Sequence, residues 1–349
     1  MAEPLRVYLR VPGTAPIPEL TKFLSSVEAA GFDGAGILDS QMICRDTFVT
    51  LAHAAVNTSR MMLFPAVTNP FTRHASVLAG GIQSVEELAP GRVKFIIGTG
   101  YTSASTIGRK PATLAEMRAC IATVKALLAG RTVDFDGTPG RLGYVSDRRI
   151  PVIMAASGPK AIEVAGEIAD GVLLLVGFNR GIVETALAHL ERGAKRAGRR
   201  LEDLEIIWAV RTGTAATTAE ARRLARPIAV HWGILRWGGH WLGPAGVRIP
   251  TFEIPDAVWK VYPDLSHAHD WEAAIAATSF VPDDVVAQLC DALGLVGTAD
   301  DCAARILEMS KLGVQNLYLM GLQTFAPPEQ EIRGFRDVVF PRLRAAGLR

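Results

Sequence analysis

The sequence predicts an α/β fold: a closed (β/α)8 TIM barrel with an insertion after the seventh strand–helix unit. Three observations predict it. Strand-like apolar runs alternate with helical periodicity along most of the chain, eight such strands can be counted, and 349 residues suit a barrel of roughly 250 residues plus insertions. A six-strand open doubly wound sheet is the alternative if two strands are misassigned. The chain is read as one domain over residues 1–349, with residues 231–280 as a lid or insertion inside it.

Leu5–Arg10 reads as the first strand, and Ile17–Ala30 as a helix ending at Gly31. Gly34–Leu38 is the second strand; Leu51 and Ala55 share one face of a helix over Thr47–Asn57. Met61–Val67 and Val93–Gly98 are the third and fourth strands, followed by helices over Ala75–Leu88 and Ala112–Leu128. Thr132–Tyr144 is a polar hairpin turned by Asp136-Gly137, placed before the fifth strand at Pro151–Ala155. Ala156, Ser157 and Gly158 then make a tight turn, and Pro159 stands where a first helical residue belongs. Ile162, Ala165, Ile168 and Ala169 face that helix inward, and Gly171–Val176 is the sixth strand. A helix over Ile182–Ala197, a strand at Leu204–Arg211 and a helix over Ala219–Val230 come next. Ala299–Leu312, Asn316–Met320 and a helix from Glu329 close the series.

Residues 231–280 break the alternation, holding Trp232, Trp237, Trp241, Trp259 and Trp271 with His231, His240, His267 and His269. The segment reads equally as an aromatic lid over a substrate or as an interface or self-packed loop.

Composition excludes several classes. Hydrophobic residues are 49% of the chain, yet no apolar run approaches the ~18 needed to cross a bilayer. The start, MAEPLRVYLRVPG, carries Arg6 and Arg10 in its apolar stretch and reads as a strand, not a signal peptide. A net charge of +2 with scattered basic pairs argues against nucleic acid. Cys44, Cys120, Cys290 and Cys302 show no CxxC pairing and read as reduced thiols of a cytoplasmic protein.

Barrel chemistry sits at strand C-terminal ends. Those ends read ILDSQ (to Gln41), PAVTNPFTRH (Pro65–His74), GTGYTSASTIG (Gly98–Gly108) and ASGPK (to Lys160). Asp39 is a ligand-side carboxylate or, equally, a helix cap or an ion-pair partner for Arg45 or Arg73. Arg73-His74 is an anion binder or a solvated helix start. Gly98 and Gly100 do not complete GxGxxG, since position 103 is Ser. They let backbone approach a flat ring, with Thr102 or Ser103 free to bond a phosphate or ribityl oxygen. The turn at Ala156–Lys160 leaves backbone N–H groups at a helix start, which suits a phosphate or a plainly capped helix. His267-Ala268-His269-Asp270 is too weak a pattern for zinc, and no metal is expected. GxSxG, HExxH and Walker patterns are missing from the sequence.

Together ILDSQ, LAHAAVNTSR, PAVTNPFTRH, GRVKFIIGTG, AASGPKAIEVAGEIADGV and GTADDCAARILEMSKLGVQNLYL resemble the luciferase-like family of flavin- and deazaflavin-dependent oxidoreductases. VTNP-T-RH at Val67–His74 is most similar to the branch with methylenetetrahydromethanopterin reductase, which uses the deazaflavin coenzyme F-420. The resemblance implies a non-prolyl cis peptide at Ala66-Val67, bulging behind the cofactor's central ring, with Thr68 and Asn69 on its polar edge. It implies a phosphate turn at Gly158, Pro159 and Lys160, and a pocket closed by Gly177 and Phe178. Relatives often carry Asp-Ser where this chain has Tyr101-Thr102, which puts a phenol over the pocket in place of the usual polar contact.

The expected activity is hydride transfer between reduced F-420 and a small organic substrate, with Asp39, Tyr101 or His231 delivering a proton. The alternatives are a monooxygenase using reduced FMN and a non-catalytic flavin-binding relative. The expected partners are a small-molecule substrate, a separate flavin or F-420 reductase, and further copies of the chain in a homodimer or higher homo-oligomer. Neither nucleic acid nor membrane is expected.

Overall fold

The computed structural model describes residues 4–236 and 238–349. Trp237, counted above in the Trp-rich segment, lies outside the described residues. Eleven strands follow in chain order: β1 (Arg6–Val11), β2 (Gly34–Ile37), β3 (Met62–Pro65), β4 (Phe95–Ile97), β5 (Val133–Phe135), β6 (Thr138–Gly140), β7 (Val152–Ala156), β8 (Gly171–Leu174), β9 (Glu205–Thr214), β10 (Gly294–Gly297) and β11 (Asn316–Gly321).

The main sheet runs β3-β2-β1-β11-β9-β8-β7-β4, with β10 added to β9. Parallel bridges at Leu63–Val93 and Thr68–Ile97 join β3 to the β4 segment, so the order closes on itself as a barrel sheet. Parallel strands covered on both faces need apolar residues at nearly every position. β1 follows that rule, with Val7, Tyr8, Leu9 and Val11 all at 0% exposure. β5 and β6 form the expected antiparallel hairpin, with Asp136 and Gly137 both at positive φ in its turn.

Several helix starts follow side-chain caps. The helix expected from Ala112 begins at Leu114, because Thr113 and Glu116 form a reciprocal capping box. The last helix is divided into Glu329–Gly334, a π-helical turn at Phe335–Val339, and Phe340–Ala345. Two elements missing from the sequence reading are the helix Asp283–Leu293 and β10, which follow the insertion directly. Tyr101–Ser105 is a further short helix.

Internal contacts divide the chain into two compact units. The first holds Tyr8–Leu174 and His189–Ile206; the second holds the described residues up to Val7, Leu175–Ala188 and Ile207–Arg349. In the first, Lys94 Nζ lies 2.7 Å from both carboxylate oxygens of Glu205, tying the starts of two strands. In the second, Leu242, Val258, Leu265 and Trp271 of the insertion share a core with the helices Thr218–Val230 and Asp283–Leu293. Two of its tryptophans are structural: Trp241 is 1% exposed, and Trp271 Nε1 donates to Leu224 O at 3.0 Å. Trp259 is open to solvent at 67%. No helix among the described residues is long and apolar enough to cross a membrane.

Candidate active site

In the first unit, the turn after β3 is held on both sides. Ala66 N donates to Ile37 O (2.7 Å), Thr68 N to Ile96 O (3.2 Å), and Gly98 N to Thr68 O (2.9 Å). Between them the Ala66-Val67 peptide is cis, the geometry the family resemblance implies. Val67 packs over the end of β4. A Cβ on Gly98 would stand 2.9 Å from Val67 Cγ2 and 3.3 Å from Ala155 Cβ, so only glycine fits there. Gly100 has φ +80, and a Cβ on it would meet Asn69 Cβ at 2.7 Å.

The polar groups of this wall divide into occupied and open ones. Asn69 is fully buried, and its four hydrogen-bonding positions are taken. Nδ2 donates to Thr72 Oγ1 (3.0 Å) and Ser103 Oγ (2.9 Å), while Oδ1 accepts from Phe71 N (2.9 Å) and Thr72 N (3.0 Å). Asn69 therefore braces the β3 turn against the β4 turn and has no group left for a ring edge. Ser103, 4% exposed and bonded to Asn69, belongs to the same brace. Thr102 is half-buried and Tyr101 exposed on the same short helix. Thr68 Oγ1 is different: it is buried beside the Asp39 carboxylate, with no partner in full hydrogen-bond geometry among the described residues.

Asp39, 3% exposed after β2, is an ion-pair partner of Arg73 and not of Arg45, which bonds Thr14 O instead. Arg73 Nη1 donates to Asp39 Oδ2 (2.7 Å) and Gln41 Nε2 to Oδ1 (3.0 Å). Burial pushes the Asp39 carboxyl above its ordinary value, and Arg73 and the adjacent Thr68 hydroxyl only partly pull it back. Arg73 also reaches Asp46 (2.5 Å) and lies 5.1 Å over the Phe48 ring. Asp46, not Asp39, is the helix cap, accepting from Phe48 N and Val49 N. His74 caps the helix Ala75–Leu88 through Ser76 N. Gln41 is the residue of this cluster that the sequence reading did not place, whereas Arg73 is one of the two ion-pair partners weighed for Asp39. The VTNPFTRH motif pointed to Arg73, but its carboxylate partners are remote in sequence.

After β7, Ala156 is buried, while Ser157, Gly158 and Pro159 are half-buried and Lys160 exposed. Gly158 opens the ten-residue helix Pro159–Ile168 without any side-chain cap. A Cβ on Gly158 would meet no atom within 4 Å. An uncapped first turn with open space beside it and a lysine in it is a ready anion site. A flat wall at Val67 and Gly98, an orphaned hydroxyl at Thr68 and this helix start fit a planar ring carrying a phosphate arm.

The second unit carries the remaining expected residues. Gly177 lines an apolar cavity with Val176, Leu289 and Leu293. Phe178 is fully buried, its N–H bonded to Ala292 O (3.0 Å) and its carbonyl to Arg305 (3.0 Å). His231 starts a π-helical turn, His231–Leu235. Burial, reinforced by Arg236 and Arg211 against Asp264, pushes its pKa down to about 4. Among the described residues, no three His, Cys, Asp or Glu gather as metal ligands.

Comparison with known proteins agrees with this architecture. A family model described as luciferase-like monooxygenase matches residues 6–316. The 5,10-methylenetetrahydromethanopterin reductase of Methanolobus tindarius is 29% identical over 314 residues, covering 86% of this chain and 90% of that protein. The F-420-dependent glucose-6-phosphate dehydrogenase of Beutenbergia cavernae is 31% identical over 240 residues, covering 62% and 69%. The solved coenzyme F-420-dependent tetrahydromethanopterin reductase of Methanopyrus kandleri shares the fold with a TM-score of 0.78 at 22% identity, covering 98% and 100%. The chain belongs to the luciferase-like monooxygenase family.

Proposed function

We propose that this oxidoreductase uses coenzyme F-420 and transfers a hydride between the reduced deazaflavin and a small organic substrate. The observation that carries the proposal is the wall of the first unit. The cramped Gly98, the buried Thr68 hydroxyl and the uncapped start at Gly158 stand in a chain whose relatives include proteins named for F-420 chemistry. When bound, the deazaflavin supplies the hydride chemistry.

The protein's part is position and proton handling. Ala66, Val67, Gly98 and Gly100 present a flat backbone-lined face, and Thr68 offers its hydroxyl to the ring edge. Ala156–Lys160 hold the phosphate through first-turn N–H groups and the Lys160 ammonium, with Thr102 as a further donor. Asp39 is the group best suited to exchange a proton, because burial raises its pKa while Arg73 and Gln41 fix its orientation. The exposed Tyr101 is a second donor. A separate flavin or F-420 reductase that recycles the coenzyme is the partner this reading implies.

Titration of the purified chain with oxidised F-420 and with FMN tests the proposal. Tight binding of F-420 with none of FMN is the expected result. Binding of FMN alone would move the chain to reduced-FMN monooxygenase chemistry, and binding of neither would make it a non-catalytic relative.

A further inference from the structure

In the first unit, the loop 141–149 leads into β7 and closes over the end of the helix Leu114–Leu128. Three close approaches to glycines set its position. A Cβ on Gly80 would stand 3.1 Å from Tyr144 Oη, one on Gly130 3.7 Å from Val145 Cγ2, and one on Gly91 3.0 Å from Arg148 Nη1. Loop, helix end and the start of β7 enclose a cleft of about 390 Å³, within the range of small-molecule pockets. Leu128, Val145 and Ile150 give it an apolar wall. Four cations, Lys125, Arg131, Arg148 and Arg149, line it with two carboxylates, Asp147 and Asp170.

These charges are not matched one to one. Asp170 Oδ1 takes both Lys125 Nζ (2.7 Å) and the Arg149 guanidinium, and Oδ2 accepts from Val152 N (2.9 Å). Lys125 also donates to Ile168 O (3.0 Å). One carboxylate thus serves two cations and a backbone amide. The guanidinium groups of Arg131 and Arg148 make no hydrogen bond or ion pair among the described residues. Glu86, which acts on Arg148 through space, is itself bonded to Gly91 N (2.6 Å). Asp147, exposed to water, opposes the two arginines inside the cleft. Two open guanidinium forks match the oxygens of a phosphate, and the apolar wall matches an organic body beside it.

We propose that this cleft is a second phosphate site, which takes a phosphate monoester with an apolar body. Arg131 and Arg148 bind the phosphate, and Leu128, Val145 and Ile150 cover the body. The cleft lies at the start of β7, whereas the Ala156–Lys160 turn follows its end, so the length of one strand separates the two sites.

Calorimetric titration of the full-length chain with phenyl phosphate, inorganic phosphate and oxidised F-420 tests this site. Phenyl phosphate is expected to bind, and more tightly than inorganic phosphate, because its ring buries apolar surface. Arg131→Met and Arg148→Met should each weaken that binding by about tenfold or more and leave the affinity for F-420 unchanged. Both side chains are exposed, so both variants should fold. Gly158→Asp should leave the binding of phenyl phosphate intact. No binding to the wild type, or equal binding by the arginine variants, overturns the proposal. Loss of binding in Gly158→Asp alone also overturns it, because the probe would then sit at the turn after β7. Parallel loss of F-420 affinity in the arginine variants does the same, since the cleft would then hold the coenzyme. Inorganic phosphate bound as tightly as the ester overturns the monoester assignment. Arginine-dependent binding in a chain that ignores F-420 upholds the cleft and defeats the coenzyme reading.

Discussion

The β3–β4 wall of the first unit and the β9 cluster of the second are built on opposite principles. The wall is made of small neutral residues whose polar groups are mostly satisfied internally, with Asn69 as the knot. The cluster is made of long charged side chains beside aromatic rings: Arg236 donates to the buried His231, and Arg211 lies over Trp232. A wall of the first kind recognises shape, because backbone and Cβ atoms decide what can approach. A cluster of the second kind recognises charge, because its field is strong and its geometry adjustable.

The contrast can be broken most severely at Gly158. Its φ of −96 and ψ of 151 are open to any residue, and a Cβ there meets nothing, so Gly158→Asp should fold and even cap its helix. The new carboxylate would nonetheless repel a phosphate, and affinity for F-420 should drop at least about a hundredfold, read by titration. Unchanged affinity would remove the phosphate assignment.

The charged side is probed by pH. His231 is held at about 4 in the folded chain against an ordinary 6.5, so the unfolded chain gains a proton first as pH falls. Stability present above pH 6.5 should therefore be lost progressively toward pH 4, by roughly 3 kcal/mol. Denaturant unfolding at several pH values should show that slope in the wild type and a flatter one in His231→Asn. An equal slope in both would mean another group controls this window.

Two smaller changes sharpen the neutral side. Gly98→Ala drives a methyl into Val67 and Ala155 and should destabilise the chain by about 1–3 kcal/mol in urea melts. Thr68→Val keeps the shape and deletes the orphaned hydroxyl. Stability should hold or rise slightly, and F-420 affinity should fall by a factor of about two to ten. A marked loss of stability would show that the hydroxyl serves the fold.

The two regions were also unequally legible. Small residues at strand ends leave a local signature, so GTG and ASGPK stood out as places where backbone approaches a ligand. The cis peptide came through family resemblance, since no local rule marks Ala66-Val67. Asn69, expected on the ring edge, is bonded to Thr72 and Ser103, partners that reach it only once the two turns meet. The Asp39–Arg73 pair was one of two partners the sequence offered, and the structure selects it across 34 positions. Arg211 read as the tail of a strand, and neither its apolar neighbours nor the Trp232 ring is nearby in sequence. The helix Asp283–Leu293 and the four-residue β10 were lost behind an insertion that supplied no phase for the alternation. What local chemistry writes into a short motif was recoverable; what depends on long-range side-chain meetings was not.

Asp46 does double duty, holding the first turn of the helix Thr47–Asn57 and gripping the guanidinium that also serves Asp39. The acidity of a buried carboxylate is thereby wired to the integrity of a helix start. Warming that frays this turn would slacken Arg73 and let the proton affinity of Asp39 drift upward while the rest of the chain stays folded. The Asp39 carboxyl, followed by NMR across temperature, should then titrate at higher pH as the melting point is approached, making a helix terminus a thermostat for one buried proton.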